Sequence, residues 1–167
     1  MPLEMTADIE ANSSKAFEVL RKVLTEIEWS SDPDGASGSF YVDFGPPHLP
    51  VSGAIAAISQ EANRLLFYVH IGALASPQRR DEVARFIVLA NWGIAIGNFE
   101  MDYAEGFVRF KASVDFTNTE LSEALIRNAI LNAMSAIEVY AEPLIDVLGS
   151  NKSAQEAFAE AKAKQIE

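Results

Sequence analysis

Four charged residues share one short stretch, "GNFEMDYAEGFVRFKASVDF" (97–116). Glu100 and Asp102 lie two apart before a Glu-Gly break, and Arg109 and Lys111 lie two apart after it. Two carboxylates beside two cations are raw material for acid–base catalysis, in which one carboxyl holds a proton while the other stays ionised. The same alternation also describes the wet side of a β-hairpin, since period two sends these four one way and Phe99, Met101 and Phe110 the other. With Glu105-Gly106 as a two-residue loop, Asp102 faces Arg109, Met101 faces Phe110 and Glu100 faces Lys111. Every acid then meets a base and none is spare. Glu100, Asp102, Arg109 and Lys111 are therefore expected to be structural hairpin pairs, and no catalytic residue is assigned.

Little else in the chain carries chemistry. There is no phosphate-binding glycine loop, no nucleophile elbow and no HExxH. His48 and His70 are far apart, and no carboxylate spacing joins them into a metal site. "DPDG" (Asp32–Gly35) has the look of a calcium loop, but the twelfth position would be Tyr41 where a Glu is needed, so a turn is expected. The chain has no cysteine, which removes disulfides and thiolate chemistry. No cofactor and no metal are expected. A net charge of −11 over 167 residues argues against nucleic acid and anionic membranes as partners. The longest apolar run, Phe86–Gly97, falls short of the roughly 20 residues of a membrane span. With no secretion signal visible at the start, a cytoplasmic location is expected.

Binding residues are the remaining candidates. Arg79, Arg80 and Arg85 form a basic cluster on an acidic chain, suited either to a solvated helix face or to an acidic partner segment. Tyr41, Tyr68 and Trp92 stand at element ends or on uncertain faces, where aromatics serve as core, rim or interface. Tyr41, Tyr68, His70, Arg79, Arg80 and Trp92 are taken as the candidate partner-binding set.

These residues need a frame. Phe17, Leu20, Val23, Leu24 and Ile27 recur at helical spacing, predicting a first helix over 14–28 capped by Ser13 or Ser14. "SSDPDGASG" is a turn by composition. Three strands follow: "SFYVDF", ended by the proline pair in "GPPHLP", then "VSGAIAAIS" and "RLLFYVHI" joined by "QEAN". The last of these has almost no polar face, so it is expected to be central or covered on both sides. Ser76 and Pro77 open a second helix that Gly93 ends. After the hairpin comes a long helix starting at Thr117 or Ser122, with Pro143 expected to kink or break it. The tail from residue 150 has few large apolar anchors, mainly Phe158 and Ile166, and is expected as a weak helix. The result is an α+β fold of order α-β-β-β-α-β-β-α, with an antiparallel five-stranded sheet and helices on one face. It forms one domain over 1–149, followed by a helical tail over 150–167.

A family resemblance rests on the same residues. "ANWGIAIGNFEMDYAEGFVRFKASVDFTNTELSEALIRNAI" resembles the YbjN family of bacterial proteins. It shows the family's helix-end Asn (Asn91), its Gly-Asn-Phe-Glu strand (97–100), the turn glycine (Gly106), the Arg-bearing strand (Arg109) and the helix with Leu125-Ile126-Arg127. The usual Thr-Pro start of that helix is replaced by Ser122-Glu123. Resemblance is dense over 90–148, rests on element order alone over 14–77, and stops at Gly149. It implies a type III secretion chaperone-like fold, often dimeric and binding protein segments, in a family described as a sensory transduction regulator. It carries over no catalytic residue.

The expected function is a non-enzymatic protein-interaction module, chaperone-like or regulatory. It would hold a protein partner on a sheet face or strand edge and pair with itself, as a homodimer, through the second helix and the strand after it. The alternative is a small-molecule binder or enzyme with a pocket between sheet and helices, using Tyr68 and His70 as its polar groups.

Overall fold

A computed structural model of the chain describes residues 2–29, 31–34, 39–42 and 48–164, the side chains of 2–7 and 31–34 excepted. The elements run α1 (Pro2–Glu26), β1 (Ser31–Asp34), β2 (Ser39–Val42), β3 (Val51–Ser59), β4 (Arg64–Leu74), α2 (Arg80–Gly93), β5 (Asn98–Asp102), β6 (Phe107–Asp115), α3 (Glu123–Gly149) and α4 (Ala154–Lys164). The strands form one antiparallel sheet in the order β1-β2-β3-β4-β6-β5. The five expected strands are β2 to β6, and the helices pack on one face as expected. Expected strand residues Asp43 and Phe44, the pair Pro46 and Pro47, and the tail residue Ile166 lie outside the described residues.

Period-two patterning explains the layers. Along β4, Leu65, Phe67, Val69 and Ile71 are buried, and they share one core with Phe99 of β5, Phe110 and Ala112 of β6, and Ala54 and Ala56 of β3. Phe86 of α2, Tyr140 of α3 and Leu20 and Leu24 of α1 close over them. Burying each large side chain contributes roughly 1.5–3 kcal/mol. Phe99 meets Phe110 edge-on at 5.0 Å and Tyr140 edge-on at 6.1 Å, so the hairpin is fastened to α3 through rings.

Several boundaries differ from the sequence-based expectation. α1 begins well before Ser14, with Pro2 as its first residue, where a missing N–H is harmless. The expected caps are therefore interior: Ser13 is buried and donates to Asn63 Oδ1 (2.6 Å), while Ser14 donates to the Glu10 carbonyl (2.8 Å). A sixth strand, β1, extends the sheet where a turn was expected. It sits at the edge, and an edge strand tolerates Pro33 because only one side needs ladder bonds. α2 starts at Arg80, one turn after Ser76, because the Arg79 N–H donates to the Ser76 carbonyl and makes the Pro77 segment a turn. α3 is capped by Ser122, whose Oγ accepts from Leu125 N–H (3.3 Å), and it runs unbroken through Pro143. Tyr140, Ala141, Leu144, Val147 and Leu148 continue one buried stripe across that proline, and their burial offsets the lost hydrogen bond.

α4 packs firmly on α2 and α3, and it does so with alanines. Ala154, Ala157 and Ala161 are almost fully buried. Its start is a capping box: Ser153 Oγ accepts from Glu156 N–H (3.3 Å) and the Glu156 carboxylate accepts from Ser153 N–H (2.9 Å). Among the described residues, no helix is long and apolar enough to cross a membrane.

Candidate protein-binding surface

α1, α2 and α3 lie against one face of the sheet, with α4 packed on α2 and α3, and none of the described helices covers the other face. Along β4 that second face carries Leu66, Tyr68 and His70, each only partly covered. Register aligns Tyr68 with Ile55 of β3 and Lys111 of β6, and Ile55 in turn with Tyr41 of β2. Tyr41 is 57% exposed. The β2–β4 half of the face is thus aromatic and aliphatic, and the β6–β5 half is charged. The expectation that β4 is central holds. Its apolar second face is not covered by any of the described elements.

The hairpin pairs in a different register from the one expected. Glu100 aligns with Arg109, Phe99 with Phe110 and Asp102 with Phe107, so the loop is four residues, Tyr103–Gly106, rather than two. Asp102 is the cause. Its carboxylate accepts from Ala104 N–H (2.9 Å) and Glu105 N–H (3.2 Å), and its carbonyl accepts from Gly106 N–H (2.7 Å). That turn consumes Asp102, so the expected Asp102–Arg109 pair is not made. Glu100 serves both cations instead, Arg109 at 2.6 Å and Lys111 at 2.9 Å. The shift is two residues, which preserves which side chains face the core. Partial burial raises the cost of charging Glu100, but hydrogen bonds from Lys111 and Arg109 outweigh it and hold its pKa below the usual carboxylate value. Glu100 is thereby held in its ionised form as an acceptor for both cations.

Arg109 also lies over the Tyr68 ring, 4.0 Å from its centroid, and joins the charged half of the face to the apolar half. Beside it, His70 meets Phe107 edge-on at 5.1 Å. Its Nε2 is buried with no hydrogen-bond partner among the described residues. Desolvation, and then the Arg109 charge, lower its pKa below the usual 6.5. The unfolded chain therefore binds the proton more readily, and His70 costs stability as pH falls from about 6.5 through the lower folded value. Replacing His70 with Gln should flatten this slope. Melting curves of the two proteins should differ by a constant amount above about pH 7 and converge or cross as pH drops to about 5. Parallel curves over that range would exclude His70 as the titrating group.

The remaining candidates separate. Arg79 donates to the carbonyls of Val147 (2.8 Å) and Lys152 (2.6 Å), tying the start of α2 to the end of α3. Arg80 reaches the Ala75 carbonyl at 3.4 Å. Both are engaged by their own chain, while Arg85 projects outward with a loose 3.6 Å contact to Glu82. Trp92 is 94% exposed on the outer side of α2, remote from the open sheet face. The expected set thus divides into a sheet-face group (Tyr41, Tyr68, His70) and α2 residues. Ile55 and Leu66 join the first group; the sequence signal for them is the missing polar face of β3 and β4. Among the described residues, no group of three or more His, Asp or Glu is placed to hold a metal. Tyr68 and His70, the polar groups of the alternative pocket reading, point away from the helices, and among the described residues Phe67, Phe86, Phe99, Phe110 and Tyr140 pack in the layer between sheet and helices.

One more contact bears on the strand edge. Asn91, in the last turn of α2, donates to the Phe99 carbonyl (2.9 Å) and accepts from Phe99 N–H (2.8 Å). In an antiparallel ladder both groups of one residue point to the same side, so these are the edge-facing groups of β5. The side-chain amide occupies the place a further strand would take.

Comparison with known proteins agrees with this architecture. Among curated proteins none matches. The chain of the ExsC–ExsE complex that matches has a TM-score of 0.57 at 18% identity, over 79% of this chain and 95% of its own. YbjN from E. coli scores 0.58 at 13% identity, over 89% and 92%. The HopA1–SchA chaperone–effector complex scores 0.53 at 13% identity, over 77% and 96%. At these identities the likeness is one of fold, and the fold is type III secretion chaperone-like. The YbjN family, described as "Putative bacterial sensory transduction regulator", matches residues 16–146. That span includes the α2 terminus, the hairpin and most of α3, and the chain belongs to the YbjN family.

Proposed function

We propose that this chain is a non-enzymatic interaction module that holds a protein segment against the open face of its sheet. The observation that carries this reading is the row Tyr41–Ile55–Tyr68, apolar and partly exposed on the face that the described helices leave uncovered. Such a face satisfies its own backbone bonds yet leaves aromatic area in water, and aromatics are the anchors of protein interfaces. Charged residues Arg109, Lys111 and Glu100 border it and would set the orientation of the guest. Structures of similar fold come from complexes with protein partners, which supports the class of activity and names no partner here. Of the two attachment modes expected from sequence, the sheet face is favoured over the β5 edge, since Asn91 closes that edge at Phe99. We also infer that the chain forms a homodimer, with α2 rather than β5 as the contact.

A pull-down from the native cell, comparing the wild-type chain with Tyr68→Glu, tests the sheet-face reading. The partner should be recovered by the wild type and reduced at least about ten-fold by the variant, as for loss of a central aromatic anchor. Equal recovery by both, with circular dichroism showing both folded, would remove the sheet face from consideration.

A further inference from the structure

β4 has the composition of a strand covered on both faces. Its core side, Leu65, Phe67, Val69 and Ile71, is buried, with α3 packed on the strand. From Leu66 to Leu74 its other side carries no Asp, Glu, Lys or Arg, and no described helix covers it. Apolar residues on both sides of a strand are the pattern of a sheet held between two layers, and one layer is supplied by this chain. The open apolar positions run obliquely. Tyr41, Ile55 and Tyr68 are level with one another on β2, β3 and β4; His70 and Leu74 continue along β4, with Phe107 level with Leu74. Tyr41 is 57% exposed and Leu74 64%. From Tyr41 to Leu74 the path crosses two strand spacings, about 10 Å, and six residues, up to about 20 Å, so its ends stand roughly 20 Å apart.

Backbone chemistry selects what can lie there. The N–H and C=O groups of β2, β3, β4 and β6 point sideways to neighbouring strands, so the face itself offers none of them. An extended segment laid flat on it would bring its own N–H and C=O groups against apolar side chains with nothing to bond. An α-helix bonds its backbone internally and presents only side chains, and roughly 20 Å is about 13 residues of helix.

We propose that the guest of the open face is an amphipathic α-helix that lies obliquely from Tyr41 to Leu74 and turns a carboxylate toward Arg109 and Lys111. The proposal rests on the sheet-face reading above and specifies the guest. Apolar residues three and four apart on the helix would meet the stripe. Charge sets the flank. Arg109 and Lys111 share the Glu100 carboxylate, which leaves this cluster one positive charge on a chain of −11. Arg109 is held between Glu100 and the Tyr68 ring, so its guanidinium is oriented before a guest arrives and little ordering remains to be done. The other charges on that side of the described strands are occupied: Arg64 and Asp115 face each other at 3.4 Å, and the Asp102 carboxylate accepts from its own turn. A guest carboxylate therefore finds its complement beside Tyr68 and not at the far end of the face.

Photo-cross-linking in the native cell tests it. A benzophenone amino acid replaces Tyr41 in one variant of the full chain and Leu74 in another, and the residues each captures are mapped by mass spectrometry. The two capture sites should fall in one segment about 13 residues apart, the advance of a helix over this distance. Made as a synthetic peptide, that segment should gain helical circular dichroism on binding the wild-type chain, and a proline at its centre should weaken binding about 100-fold or more. Exchanging its acidic residue on the Arg109 side for the amide should weaken binding about three- to five-fold. Capture sites about six residues apart, as for an extended chain, or on separate segments, overturn the helix and leave the sheet-face reading standing. A peptide that binds equally well with the central proline does the same, and an amide exchange without effect overturns the charged flank. Folded variants that capture nothing from either position overturn the helix and the sheet-face reading together.

Discussion

Alanine in place of Gly106 is expected to destabilise the fold by about 3 kcal/mol or more, lowering the melting temperature by roughly 6–12 °C for a chain of this size. Two effects add. Gly106 sits at φ +78°, where an L side chain costs roughly 1–2 kcal/mol. A Cβ there would also run into the Ala75 carbonyl, a backbone atom that cannot swing aside. That close approach is itself structural, since Ala75 N–H donates to the Gly106 carbonyl at 2.8 Å and pins the hairpin tip to the end of β4. Gly106→Asn separates the two effects. Asparagine tolerates positive φ but still carries the Cβ, so it should be nearly as damaging as alanine. A thermal melt in which the Gly106→Asn variant recovers most of the loss would show that strain alone makes glycine necessary, and that the contact with Ala75 is loose.

The hairpin also shows how far sequence reasoning reaches. Alternation identifies both strands, their faces and the glycine turn, because period two is written directly in the residue types. It places the register two residues off, since the loop length depends on a side chain, Asp102, bonding back to its own turn, and an X-Gly dipeptide looks like a two-residue loop either way. The strength of α4 escapes for a related reason. Large anchors are the usual sign of docking, whereas Ala154, Ala157 and Ala161 dock by being small, and the Ser153–Glu156 capping box is the signal in the sequence that marks the helix start. The early start of α1 is hidden because its first turns lack the apolar stripe of the rest. As for the candidate site, the apolar second face of β4 is visible in "RLLFYVHI". The separation of Trp92 from Tyr68 is not, because it depends on which side of the sheet the helices choose. Arg79 and Arg80 look like surface charge, and only the packed structure reveals the carbonyls they serve.

Asn91→Ala is expected to cost about 2–3 kcal/mol and to change how the protein associates. Removing the side-chain amide deletes two hydrogen bonds, leaving the Phe99 N–H without its partner and the Phe99 C=O with only the Asn98 amide at 3.2 Å; each such loss is worth about 1–3 kcal/mol when water cannot fully replace it. Phe99 itself is buried against Phe110 and Tyr140, so the loosened segment is one that anchors the hairpin to α3. The second consequence is at the edge. β5 ends the sheet, and an edge with unpaired backbone groups is a template for strand addition. With Asn91 in place, pairing is blocked at the second residue of a short strand. Without it, copies should add edge to edge, which appears as light-scattering growth with concentration and temperature. Asn91→Asp divides the two roles, because it retains an acceptor for Phe99 N–H but turns a carboxylate oxygen toward the Phe99 carbonyl. It should lose stability and still occupy the edge, so scattering should rise less than in Asn91→Ala. If Asn91→Ala melts lower yet shows no more scattering than the wild type, the amide is a packing element only, and the β5 edge must again be considered as a docking route.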